Sequence, residues 1–206
     1  MKSAKAIFGL SIIVMMAAAA PFAFAQAAQV RWDIVSVNFV PPFITQSGGL
    51  ASATAGDGSY ITLTGSGTFV APAGGKGTSS AATGGGTWTT YTSAGVMTDT
   101  GTYDVTGLVR WEPAPFPPGG PPPRIDLIDP SAPRSTGLAV LRITYSDGQH
   151  GILVVSCTGV TAPAFMYEGI TATKQFTNYK SPVPPVPGVD GNRTLFHIEK
   201  EADEDE

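Results

Sequence analysis

Beyond residue 25, no stretch of ten or more residues spaces its apolar positions at a helical period. Short runs of β-branched and aromatic residues recur instead between clusters of Gly, Pro, Asp and Ser. Such runs have period-two faces to bury and only further sheet to bury them against. The pattern predicts an all-β fold: a single antiparallel β-barrel or a two-sheet sandwich of about eight to nine strands. The runs lie at 31–40, 50–55, 59–70, 86–92, 101–112, 137–146, 151–157, 165–176 and 193–199. Gly56-Asp57-Gly58 and Asp147-Gly148-Gln149-His150 read as hairpin turns, because glycine and aspartate tolerate positive φ. Within 137–146, Leu138, Val140, Arg142 and Thr144 alternate with Ala139, Leu141, Ile143 and Tyr145, so one face is expected to be wet.

Two segments interrupt the strands. Residues 113–135 and 182–188 are rich in proline, which lacks the donor a sheet interior needs; polyproline II or disorder is expected in the first, and the second reads as a loop before the last strand. The 15-residue stretch 71–85, rich in Gly, Ser and Ala, reads as a loop, and its Gly74–Gly77 run lacks the spacing and the following helix of a phosphate loop.

The ends of the chain are of a different kind. Lys2 and Lys5 precede an apolar run from Ala6 to Ala20, Pro21 ends it, and Ala23-Phe24-Ala25 offers small residues to a signal peptidase. Residues 1–25 are read as a secretory signal cut after Ala25, bacterial in its compactness, with no membrane span left after processing. This places the mature chain, through the general secretory pathway, in the periplasm or outside the cell. Residues 199–206 form an acidic tail, expected to be disordered; six of the eight residues are acidic. Between them the domain, residues 26–198, carries nine basic and ten acidic side chains. Charge is scarce at 14% of the chain, and no basic excess exists for a nucleic acid to use.

Gly-Thr-aromatic occurs three times, at Gly67-Thr68-Phe69, Gly86-Thr87-Trp88 and Gly101-Thr102-Tyr103. The repeat suggests successive antiparallel strands sharing one geometry, with the aromatic rings packed on one face; an aromatic-lined pocket is the functional alternative. Cys157 ends an apolar strand and reads as a buried thiol. His150 and His197 lie far apart in the sequence, no metal-ligand spacing is present and no cofactor is implied. Asn192-Arg193-Thr194 matches the glycosylation pattern, a short motif that recurs by chance.

Ligand-binding candidates are therefore the charged residues on strands, Asp104, Arg110, Arg142 and Glu168, with Trp88 and Tyr103 as aromatic walls. No catalytic constellation emerges. The reading is a non-catalytic exported binding or interaction module, taking a small apolar ligand or a protein partner. The alternatives are a structural or surface-assembly subunit and a barrel-type cyclase or isomerase using strand carboxylates.

Overall fold

The computed structural model describes residues 28–72, 78–114, 116, 123–158, 166–182 and 191–199. They are all-β, with no helix among them. The strands in chain order are β1 (Gln29–Asn38), β2 (Ile44–Ser47), β3 (Ala51–Thr54), β4 (Tyr60–Leu63), β5 (Ser66–Val70), β6 (Ala82–Tyr91) and β7 (Met97–Pro113). There follow β8 (Ile125–Asp126), β9 (Arg134–Ser135), β10 (Gly137–Tyr145), β11 (His150–Cys157), β12 (Gly169–Lys174), β13 (Thr177–Tyr179) and β14 (Arg193–Glu199). All belong to one sheet, ordered β13-β12-β11-β10-β7-β6-β5-β1-β14-β9, with β2, β3, β4 and β8 branching from that path. The order does not close. Every pairing is antiparallel except that of β2 with β8.

The strand count exceeds the nine runs because short pieces pair at edges and long runs bend between partners. The run at 59–70 is β4 and β5, both paired to β6 in one continuous register. Its other edge changes partner at the bend, from β3 to β1. The 17-residue β7 pairs with β6 on one edge through its first half and with β10 on the other edge through its second, where two bulges interrupt the ladder. Bulges bend a strand and sharpen its twist, which coils a sheet. At the tightest point Gly67 faces Gly84. A Cβ on Gly67 would fall on the Thr83 carbonyl oxygen, and Gly84 has φ +120°, so only glycine fits this crossing.

Coiling turns one face inward, and that face is filled. Trp32, Phe69, Trp88, Tyr103, Trp111, Tyr145 and Phe196 are fully buried. Phe69, Trp111 and Phe196 pack at one end, with centroids 5.3 and 4.8 Å from Trp111. Trp88, Tyr103 and Tyr145 pack edge to face at the other. The three Gly-Thr-aromatic motifs lie on the neighbouring strands β5, β6 and β7, and their rings all enter this core. Lys174 ends the stack at the second group: its ammonium lies 4.2 Å from the Trp88 ring centroid and is ion-paired to Asp147.

Where backbone pairing stops, side chains join the coil. The strand β14 lies against β11 and β12. Glu168 accepts hydrogen bonds from Thr158 N–H (2.8 Å) and Thr194 N–H (2.9 Å), and Thr194 Oγ1 donates to the Ser156 carbonyl (2.6 Å). Asn192, 1% exposed, accepts from Ser52 N–H and donates to the Pro182 carbonyl. With its amide committed in this way, Asn192 leaves no room for a glycan in the folded chain.

Candidate functional site

The proline-rich segment is where the structure departs furthest from the sequence expectation. Residues 115 and 117–122 lie outside the described residues; of residues 123–135, Ile125–Asp126 and Arg134–Ser135 are strands where the sequence predicts polyproline II or disorder. Residues 123–135 form a strap tied at both ends: β8 pairs with β2, β9 pairs with β14, and β1 and β14 lie between. Proline is tolerated here because each strap strand is only two residues long and lies at a sheet edge. Two aspartates shape the turn between them. Asp126 Oδ1 accepts from Ile128 N–H (3.0 Å), and Asp129 Oδ1 accepts from the Ser131 and Ala132 N–H groups (both 3.1 Å). These are side chains standing in for backbone acceptors in a turn.

Beneath the strap lies a polar layer on the outer face of β1 and β14. Register places Arg31 beside His197 and Asp33 beside Leu195. Arg31 grips the fully buried Asp33 with two hydrogen bonds, 2.9 and 3.1 Å, and this partner raises the Arg31 pKa. His197 is also fully buried; its Nε2 lies 2.8 Å from Asp126 Oδ2, while its Nδ1 has no hydrogen-bond partner. The Arg134 Nε stands 4.0 Å from the same Asp126 oxygen. Arg124 Nη1 donates to Thr45 Oγ1 over 3.3 Å, and the buried Arg124 Nε has no hydrogen-bond partner. Burial, then the charge of Arg124, lowers the pKa of Arg134. Arg124, Asp126, Asp129 and Arg134 line a cavity of about 540 Å³, completed by Ile125 and residues 130–133.

Asp126 is the tie of this layer, so its removal is expected to loosen the strap first. Asp126→Ala strands the buried His197 Nε2 and frees the first turn, at a cost of about 1–3 kcal/mol. Hydrogen exchange is the measurement: the Ile125 and Leu127 amides, bonded to Phe43 and Thr45 carbonyls, should lose protection well before β10 and β11. Equal loss throughout would mean that the strap is no separate unit.

The six residues nominated from sequence are not gathered into one place. Trp88 and Tyr103 are in the core, with Trp88 Nε1 donating to the Thr102 carbonyl and Tyr103 Oη to the Thr64 carbonyl. Asp104 and Arg142 are exposed on the outer face, opposite Thr144 and Gly107 respectively. Arg110 is exposed and paired with Glu112 two residues along its own strand (2.7 Å). Glu168 is in the seam between β12 and β14. Cys157 is buried, its thiol pKa pushed well up by desolvation and then by the Glu168 charge. That environment makes it a poor nucleophile. The strap residues escaped notice because their partners are distant in sequence; the signal within reach was Asp126 and Asp129-Pro130-Ser131, a turn signature inside the proline-rich stretch.

Comparison with protein-family models, with curated proteins and with solved structures returned no match.

Proposed function

We propose that the protein is an exported, non-catalytic binding module whose ligand enters the open cavity lined by the strap. The observation that carries this reading is the cavity itself: about 540 Å³, with two arginines on its wall and a buried donor, Arg124 Nε, left without an acceptor. Space of this size suits a small molecule, and a few polar groups on its wall would orient one. The filled aromatic interior argues in the same direction, because it directs attention to the outer face. On this reading the chain follows the secretory route and is cut behind Ala25, and its coiled sheet serves as a barrel-like frame for the strap. A fragment screen by amide NMR on residues 26–206 tests the proposal. Binders should perturb Arg124–Asp126 and Asp129–Arg134, which line the cavity. A screen whose hits all fall elsewhere would overturn it.

A second reading, a subunit of a surface assembly, is favoured by one feature. Phe39, Val40, Phe43, Ile125 and Leu127 are exposed large apolar side chains, and the backbone bonds from Ile125 to Phe43 and from Leu127 to Thr45 bring their two segments together. Exposed apolar clusters mark contact surfaces. Light scattering at rising concentration should then detect self-association that Leu127→Ser weakens; a strict monomer counts against assembly.

A further inference from the structure

We propose that the outer face of β4, β6 and β7 is an ice-binding surface, a lattice of threonine hydroxyl and methyl groups whose ligand is a crystalline water face. It uses none of the strap residues and stands independently of the cavity reading.

The first argument is spacing. Thr-x-Thr recurs on three neighbouring strand segments: Thr62-Leu63-Thr64, Thr87-Trp88-Thr89 and Thr100-Gly101-Thr102. Leu63 and Trp88 enter the core, so alternation turns the threonines outward. Register then sets them in rows. Thr62, Thr89 and Thr100 form one row. Thr64, Thr87 and Thr102 form the next, and Ser146 continues it beyond Thr102. Thr62 is covered, Thr64 and Thr89 are half-buried, and Thr87, Thr100, Thr102 and Ser146 are exposed. Neither ladder shifts register between the two rows. Neighbours in a row are therefore about 4.8 Å apart, and the rows about 6.8 Å apart. The oxygen repeats of an ice prism face lie close to both lengths. Two of the three Gly-Thr-aromatic motifs supply Thr87 and Thr102, so the motif that fills the core also builds this face.

The second argument is hydrogen bonding. Thr100 Oγ1 donates to the Trp88 carbonyl (2.9 Å), so it accepts from Thr89 Oγ1 (3.0 Å). Thr64 Oγ1 accepts from Thr87 N–H (3.0 Å) and lies 2.7 Å from Thr87 Oγ1. Ser146 Oγ accepts from Thr102 N–H (3.1 Å). A hydroxyl has one hydrogen and two lone pairs, so these bonds fix the oxygens and leave acceptor sites for ordered water. Side chains held before binding cost little entropy on binding. The lattice itself is uncharged; Asp99 precedes Thr100, and Asp104 stands one row beyond, opposite Gly85 and Thr144. A glycan suits this face less well. Tyr60 and Tyr91 at its margin stack on each other at 4.6 Å, each covering a ring face that a sugar would use. Twist turns successive strands by about 20–25°, so the match spans only a few strands and suits slowing of ice growth.

The test is two ice assays on the mature chain: its share in slowly growing ice, and the coarsening of polycrystalline ice held just below melting. The chain should enter the ice beyond the share of serum albumin run beside it, and should slow the coarsening. Thr102→Lys puts a charge into the lattice at an exposed position; it should abolish both effects and leave the urea midpoint unchanged. If that variant does not fold, Thr102→Ser removes only the methyl and should weaken both. Ice incorporation no greater than that of albumin would overturn the inference. Full activity in the folded Thr102 variant would overturn it as well, because the ice contact would then lie elsewhere. Retention on cellulose or chitin without enrichment in ice would reassign the face to a glycan and overturn it too.

Discussion

Replacing Trp111 with alanine is expected to cost about 3–5 kcal/mol, the largest loss from a single substitution in this chain. Trp111 is 2% exposed and lies between Phe69 and Phe196 on neighbouring parts of the coil. Its ring covers Gly137: a Cβ there would overlap the indole, so strand and side chain are fitted to each other. Alanine would remove the transfer free energy of the indole and leave a void that three strands, joined by backbone ladders, can close only in part. Urea denaturation measures the loss, and Trp111→Phe should recover part of it. A loss below about 1 kcal/mol would mean that this end of the interior collapses or is already loosely filled. That outcome would return attention to an interior pocket and weaken the case for a site on the outer face.

The second large effect is expected at Glu168. Its carboxylate takes two backbone N–H groups, from Thr158 and Thr194, and the Thr158 hydroxyl at 3.2 Å. Glu168→Ala leaves those donors buried in the seam without their acceptor, at about 1–3 kcal/mol for each backbone N–H. The pH dependence separates this role from simple packing. Desolvation raises the Glu168 pKa, against the opposing pull of the Thr194 and Thr158 N–H groups and the Arg193 charge. A carboxyl whose pKa is raised by folding binds its proton more tightly in the native state. Its contribution is therefore full below the ordinary glutamate pKa and declines as pH rises through the raised value. The stability difference between the wild-type chain and Glu168→Gln should fall over that interval and then level off. A difference that rises with pH would show that the donors outweigh burial and hold the pKa down.

These two residues illustrate how much was legible. Trp111 lies in the run predicted at 101–112, but two bulges break that run's period: Val105, Leu108 and Trp111 share the inward face, and the pairing with β10 sets that spacing. Glu168 was picked out as a carboxylate beside a strand, but its task was not, because Thr194 is 26 residues away and on the far side of the coil. The same distance in sequence hid the strap: Asp126 meets His197 across 71 positions. Edge pieces were missed for a different reason. Strands of two or three residues, such as β8, β9 and β13, are too short to show a period. The run at 101–112 was found but began late, since Met97 to Thr100 are all exposed and carry no apolar alternation.

What the sequence determined by itself is the all-β character, the hairpin turns and the inward aromatic faces. Those depend on neighbours two residues apart and on the backbone preferences of Gly, Asp and Pro. What only the tertiary structure decided is how the sheet coils, which charges end up buried, and where a cavity opens. The coil comes from bulges and a glycine crossing whose effect adds up over several strands. The fully buried His197 meets its partner Asp126 only because a proline-rich strap is tied to β2 and β14, a contact between segments that have no periodic relation in the chain. Local pattern fixes which face of a strand is apolar; only packing determines which polar side chains are taken out of water with it.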